Sequence, residues 1–107
     1  MGITKITGFN QSTLQMVNVL KAIAHPTRLS IILHLSKTPN CICGDLVDVL
    51  PLSQSTISRH LSELKNAGLI VGNIDGNSVS YCLNAKTFET LKTFLNAIET
   101  DPLNCCN

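Results

Sequence analysis

Apolar and polar positions follow a helical period most clearly between Ser53 and Gly68. Ile57, Leu61 and Leu64 recur at i, i+4 and i+7, so they form one stripe that must be buried against the rest of the domain. Ser53 is a favourable N-cap and Gly68 a favourable C-terminal stop. The opposite face of this segment is polar and basic. The pattern therefore predicts one helix with a buried face and an exposed face.

The pattern upstream of this helix predicts three more helices. A capping box at residues 12–15 opens a helical stripe that ends near His25, and Pro26 suits the first turn of a second helix. Residues 45–50 form a short apolar segment that ends at Pro51. The short segment and the longer helix after it have the layout of a helix-turn-helix, whose second helix reads DNA.

The pattern downstream predicts a hairpin and a last helix. Residues 70–74 and 78–83 alternate as strands around Asp75-Gly76-Asn77, and Asp-Gly is a preferred turn pair. Asn84 then caps a helix predicted over residues 85–100. The predicted fold class is mainly α with a small β-hairpin.

The exposed face of the helix after Ser53 carries the predicted DNA contacts. Small polar side chains let a helix approach a major groove closely, and basic ones reach phosphate oxygens. The predicted DNA-binding residues are Ser53, Gln54, Ser55, Thr56, Ser58, Arg59, His60 and Lys65, with Asn77 in the hairpin. An equal alternative for His60 is that it only flanks the buried stripe. A hairpin that is merely exposed to solvent is the alternative for Asn77, and Arg28 is interpreted as a solvated charge.

Two stretches of the chain resemble the ArsR/SmtB family of winged-helix repressors. One comprises residues 52–61 and 64–70, and the other residues 24–29 and 31–33. The resemblance implies a winged helix-turn-helix homodimer that represses transcription and is released from DNA by a ligand. It also implies a dimer interface on the first and last helices, at Leu14, Leu91, Leu95 and Ile98. An equal alternative for each of these residues is that it packs in the core of its own subunit. Such a dimer would bind an inverted repeat of double-stranded operator DNA.

Composition limits the other possibilities. The 107 residues fit a single domain, residues 1–107, with an N-terminal arm at 1–11 and a cysteine-bearing tail at 101–107. The net charge of +1 is small for a nucleic-acid binder, so DNA binding would depend on a local basic face. We expect a cytoplasmic protein with no membrane partner, because neither an export signal nor an apolar run of 18 residues is present.

Five cysteines favour thiols with a chemical role in a reducing compartment. Thiolates select soft ions, so we predict that Cys41, Cys43, Cys105 and Cys106 bind As(III) or another soft thiophilic ion as inducer. Arsenite-responsive members of the family often carry a third cysteine three residues after the Cys-x-Cys pair, where this chain has Leu46. The tail is therefore expected to supply the missing thiol. Cys41 and Cys43 would not face each other in a regular helix, so their joint use requires a non-helical segment.

Other functions fit the residues less well. A thiol-based redox or sulfur-species sensor of the same fold is the main alternative. Zinc-sensing members of the family use ligands on the last helix, and residues 85–100 contain no histidine. The chain lacks a Cys-x5-Arg loop, a Ser-His-Asp pattern and a glycine-rich phosphate loop, so we do not expect an enzyme. A pure interaction module would not need the polar helix face, and Cys82 is interpreted as a packing residue.

Overall fold

The computed structural model describes residues 8–38 and 40–101, and this part of the chain forms five helices and one three-stranded antiparallel sheet. The predicted fold class, mainly α with a small hairpin, is confirmed. In chain order the elements are α1 Gln11–Ile23, α2 Pro26–Lys37, β1 Cys41–Ile42, α3 Cys43–Val49, α4 Gln54–Asn66, β2 Ile70–Asp75, β3 Ser78–Leu83 and α5 Ala85–Asn96.

Helix α1 begins earlier than the capping box predicts. The side-chain Oδ1 of Asn10 accepts a hydrogen bond from the amide of Thr13 at 2.7 Å, so Asn10 is the N-cap. Ser12, the predicted cap, instead donates its hydroxyl to the same Asn10 oxygen at 2.9 Å. The N-terminal arm predicted over residues 1–11 therefore overlaps the first residue of α1.

The two ends of α4 agree with the prediction. The hydroxyl of Ser53 accepts from the amide of Thr56 at 3.3 Å, and Gly68 takes a left-handed conformation with φ 79° just beyond the helix. Helix α5 begins as predicted, with Asn84 Oδ1 accepting from the amide of Lys86. It ends at Asn96, four residues before the predicted end.

The hydrophobic core is centred on the apolar stripe of α4. Ile57, Leu61 and Leu64 are each at most 1% exposed. They pack with buried side chains from α2, α3 and the start of β2, namely Ile31, Ile32, Leu35, Leu46, Leu69 and Ile70. Because this stripe is fully covered, the polar face of α4 is held outward.

The sheet contains a strand that the pattern does not predict. The strand order is β1-β3-β2, and β1 pairs Cys41 with Tyr81 and Ile42 with Ser80. Strand β1 is only two residues long and pairs with residues about 40 positions later, so no local signal marks it. It joins the beginning of α3 to the predicted hairpin.

The hairpin turn is one residue later than the sequence indicates. Asp75 pairs with Ser78, so the connecting residues are Gly76 and Asn77. Gly76 has φ 63° at the first central position, where a type II′ turn requires a positive φ and favours glycine.

Apolar side chains remain exposed on α1, at the end of α5 and just after it. Leu95 is 49% exposed and Ile98 59%, and on α1 Val17 and Leu20 are also exposed. Leu91, in contrast, is 9% exposed and buried within its own subunit. Leu14 is half-buried. In the described ranges no helix is both long and apolar enough to cross a membrane.

Candidate nucleic-acid interface and thiol pair

The outward face of α4 presents a row of polar side chains. Its exposed members are Gln54, Ser55, Ser58, Arg59, Ser62 and Lys65. Ser53 and Thr56 have a different role, because the Ser53 hydroxyl caps the helix and donates to Thr56 Oγ1 at 3.0 Å. Thr56 is half-buried. These two residues hold the helix end, while the exposed row is free to meet a groove.

His60 lies on a different side of α4 from this row. Its Nδ1 accepts a hydrogen bond from Arg28 Nε at 3.2 Å, and its ring packs against the ring of His25 with 4.5 Å between centroids. Burial lowers the pKa of His60, and the charges of His25, Arg28 and Arg59 lower it further. The structure therefore places His60 against the beginning of α2.

Arg28 is not the solvated charge that the sequence indicates. In addition to its bond to His60, its Nη1 donates to the carbonyl oxygen of Ala22 at 3.4 Å. His25 lies at a helix boundary as predicted, where its Nδ1 accepts from the amide of Thr27 at 3.1 Å and caps α2. Sequence spacing gave no signal for this cluster, because His60 and Arg28 are 32 residues apart.

Cys43 is the first residue of α3 and contacts α4 directly. Its Sγ lies 3.5 Å from Ser58 Oγ, and its side chain is half-buried. Ser58 belongs to the exposed row on α4. A thiol therefore touches a side chain of the predicted DNA-reading face.

Cys41 lies in β1, two residues before Cys43, in a buried site. It is 1% exposed, and its Sγ donates to the carbonyl oxygen of Ile42 at 3.4 Å. Burial raises the pKa of the Cys41 thiol to about 11, and the nearby Asp45 carboxylate and Cys43 add to the rise. The backbone at Cys41–Ile42 is extended, so the two cysteines do not lie within one regular helix, and Cys43 is near enough to affect the Cys41 thiol electrostatically.

Of the other three cysteines, only Cys82 lies within the described residues. Cys82 lies on β3 beside Tyr81, half-buried, with its Sγ 3.9 Å from Asn73 Nδ2. Cys105 and Cys106, the two predicted tail ligands, lie outside the described residues. Across residues 8–38 and 40–101, no three His, Cys, Asp or Glu side chains are grouped closely enough to hold a metal ion. Of the four predicted ligands, the described residues thus contain two, Cys41 and Cys43.

Asn77, the predicted donor in the hairpin, is exposed at the tip between β2 and β3. Lys65 lies near the base of the same hairpin, since its Nζ would lie 3.7 Å from a Cβ added at Gly72. A basic side chain of the helix row therefore reaches the base of the hairpin.

Comparison with known proteins decides the family. Residues 25–71 match the family described as bacterial regulatory protein, arsR family. The chain is 33% identical over 81 residues to the HTH-type transcriptional regulator YgaV of Escherichia coli, covering 76% of this chain and 82% of YgaV. The chain belongs to the ArsR family. It is also 31% identical over 91 residues to the arsenical resistance operon repressor of Staphylococcus xylosus, covering 85% and 86% of the two chains.

Solved structures of ArsR-family regulators share the fold. HlyU from Vibrio cholerae superposes with a TM-score of 0.70 and 30% identity, covering 82% of this chain and 95% of HlyU. A second structure, described as reduced HlyU, has a TM-score of 0.62 and 28% identity, covering 88% and 93%. The three-stranded sheet therefore includes the wing of a winged helix-turn-helix. ArsR-family proteins are DNA-binding transcriptional regulators and not enzymes, as the sequence predicts.

Proposed function

We propose that this ArsR-family protein is a cytoplasmic homodimer that represses transcription from an inverted-repeat operator and is released when cysteine thiolates bind arsenite or antimonite. One observation carries the proposal: the thiol of Cys43 lies 3.5 Å from the hydroxyl of Ser58 on the exposed face of α4. Cys43, a proposed ligand of the ion, thus directly contacts a residue of the proposed DNA-binding face.

The exposed row on α4 supports the DNA-binding part of the proposal. Arg59 is the side chain in this row that can donate two hydrogen bonds to one guanine edge, whereas the serines make short contacts to base edges and phosphates. The contribution of His60 to phosphate binding is the weakest of the predicted ones, because its Nδ1 already accepts from Arg28. We propose Asn77, which is exposed at the tip of the wing, as a further DNA contact.

The exposed apolar side chains on α1 and near α5 support the dimer. Leu95 and Ile98 are large apolar residues, yet they are 49% and 59% exposed. A cluster of exposed apolar side chains is typical of an interaction surface. Leu91 contributes to the core of its own subunit and is not proposed as an interface residue.

The thiol pair supports a soft ion as the inducer. Cys43 is the accessible thiol, whereas Cys41 must lose a proton from a buried group whose pKa is raised to about 11. Binding of an ion to Cys41 therefore releases that proton and opens the β1–α3 junction, a cost that the ion–thiolate bonds must offset. Three thiolates satisfy As(III), and we propose Cys105 or Cys106 as source of the third. The arsenical resistance operon repressor of S. xylosus supports arsenite as the first ion to test.

Motion at the thiol pair would reach DNA through α4. Cys41 pairs with Tyr81 on β3, and Cys43 begins α3 and touches Ser58. An ion that draws the two thiols together must shift the beginning of α3, which packs against α4. We therefore expect the ion to favour a form with α4 turned away from the operator, by a shift in population between two forms.

Fluorescence anisotropy of the reduced protein on DNA from its own upstream region tests the proposal. Arsenite, zinc, cadmium and a mild oxidant are titrated separately. We expect release by arsenite, and we expect Cys43→Ser to bind DNA but to lose the response. Cys82→Ser is the matched control, because the Cys82 side chain alternates with that of Tyr81, which pairs with Cys41, and contacts Asn73 of β2 instead. This variant should respond like the wild type.

One further variant locates the third thiol. The double change Cys105→Ser and Cys106→Ser should weaken the arsenite response if the tail supplies a ligand. An unchanged response in this variant would remove the tail from the site. A protein that binds no upstream DNA in any state would overturn the regulator proposal as a whole.

A redox or sulfur-species sensor is the second candidate, and two observations favour it. Cys43 is a half-buried thiol that a small oxidant can reach, and one solved relative is described in a reduced form. In this case the oxidant releases DNA while arsenite does not. The same titration separates the two candidates.

A further inference from the structure

Three basic side chains meet where α1, α2 and α4 come together. The rings of His25 and His60 lie 4.5 Å apart with 43° between their planes, and Arg28 Nε lies 3.2 Å from His60 Nδ1. Arg28 also donates to the carbonyl oxygen of Ala22, the last buried residue of α1. We call His25, Arg28 and His60 the histidine cluster. It fixes the DNA-reading helix to the beginning of α2.

The donors in the histidine cluster determine where the imidazole protons lie. An arginine guanidinium can only donate, so His60 Nδ1 must carry a lone pair and the ring proton must be on Nε2. The amide of Thr27 likewise can only donate, so His25 Nδ1 is also an acceptor. The His60 ring is therefore neutral in this arrangement.

A proton added to the His60 ring goes to Nδ1, the nitrogen that already accepts a hydrogen bond. It would place an N–H directly opposite the N–H of Arg28, with two positive charges in contact. Protonation of His60 therefore removes the hydrogen bond that joins α4 to Arg28 of α2.

The charged groups around His60 oppose its protonation. Arg28 and His25 face it from the beginning of α2, and Arg59 lies next to it on α4. Glu63, one turn later on α4, has the opposite effect and raises the pKa of His60. Lys21 of α1 lines the same cleft as Arg28 and Glu63 and adds another positive charge. Burial and the charges of His25, Arg28 and Arg59 lower the pKa of His60 below its ordinary value of 6.5.

We propose that the histidine cluster is a proton-sensitive contact, and that acidification loosens α4 from α2 and lowers affinity for operator DNA. This inference rests on the proposed DNA-binding function of α4, and it does not involve the cysteines. It assigns the protein a second input, pH, through residues distant in sequence from the thiol pair.

The direction of the pH effect follows from the lowered pKa. The unfolded chain takes up a proton on His60 near pH 6.5, before the folded chain does. The contribution of the cluster to stability is thus fully present above pH 6.5. It is lost progressively as the pH falls from 6.5 through the lower pKa of the folded state.

The test compares the wild type with His60→Asn at about pH 7.5 and about pH 5.5, and one unit of pKa corresponds to a tenfold effect. Asparagine Oδ1 can replace Nδ1 as the acceptor for Arg28 but does not titrate. His34→Asn is the matched control, since His34 lies on α2 outside the cluster. The urea midpoint without DNA and the operator Kd are measured for each protein.

We expect the wild type and His34→Asn to lose stability at the lower pH and to bind operator about three- to tenfold more weakly, within the tenfold per pKa unit. At the lower pH, His60→Asn should lose less stability and less operator affinity than these two proteins. Equal losses in the wild type and His60→Asn, or tighter operator binding by the wild type at the lower pH, would overturn the proposal. If no protein binds DNA at either pH, the DNA-binding function fails, while the urea midpoints still test the cluster.

A titration of the wild type by NMR keeps the test decisive if His60→Asn does not fold. The nitrogen chemical shifts of His60 should show the Nε2–H form at neutral pH and a midpoint below 6.5. A midpoint at or above 6.5, or an Nδ1–H form, would contradict the proposed contact with Arg28.

Discussion

Arg59→Ala should weaken operator binding without changing stability. Arg59 is exposed on the outward face of α4, opposite the stripe that contains Ile57 and Leu61. An arginine that reads a guanine edge contributes about 1–3 kcal/mol of discrimination. A dimer carries the change in both half-sites, so the total loss is about 2–6 kcal/mol, which raises Kd at least about 30-fold.

Anisotropy titrations at one fixed salt concentration measure this change, together with the urea midpoint of each variant. Lys37→Ala is the control, because it also removes one exposed positive charge but lies at the end of α2. It should change Kd little. Equal weakening on operator and on unrelated DNA would identify Arg59 as a phosphate contact. Wild-type affinity in Arg59→Ala would refute the assignment of this helix face to DNA.

Three further changes test the fold and the assembly. Leu61→Ala should lower the free energy of unfolding by about 2–5 kcal/mol in urea denaturation, because the side chain is 1% exposed; a loss below 1 kcal/mol would contradict its central place in the core. Gly76→Ala should cost about 1–2 kcal/mol because φ is 63°, whereas Gly44→Ala, which meets only Ile42 at 4.0 Å, should not destabilise the protein. Leu95→Asp should shift the protein to monomer in sedimentation velocity, and an unchanged dimer would place the interface elsewhere.

The sequence predicted the parts of the fold that depend on local signals. Helix α4 has its N-cap at Ser53, its stop at Gly68 and its buried stripe where the pattern indicates them. Its period, its cap and its terminating glycine all lie within one stretch of chain. Helix α5 was predicted too long because Ile98 continues the apolar period, although it lies beyond the end of the helix and is 59% exposed.

The parts that depend on distant residues were not predicted. Strand β1 exists because Cys41 pairs with Tyr81, and its two residues carry no period of their own. Arg28 was interpreted as solvated because its partner His60 is 32 residues away. The polar row on α4 could be listed from sequence, but the separation of His60 from that row depends on how α2 packs. The contact between Cys43 and Ser58 likewise depends on the packing of α3 on α4.

The burial of Cys41 sets a time scale for any reaction that uses both thiols. With a pKa of about 11, its thiolate fraction at neutral pH is on the order of one in ten thousand. A reagent would therefore attach first to Cys43 and reach Cys41 only during brief openings of β1. At high reagent concentration the second step would become independent of dose, since the opening rate would limit it. The protein would therefore respond to sustained exposure to the reagent but not to a brief one.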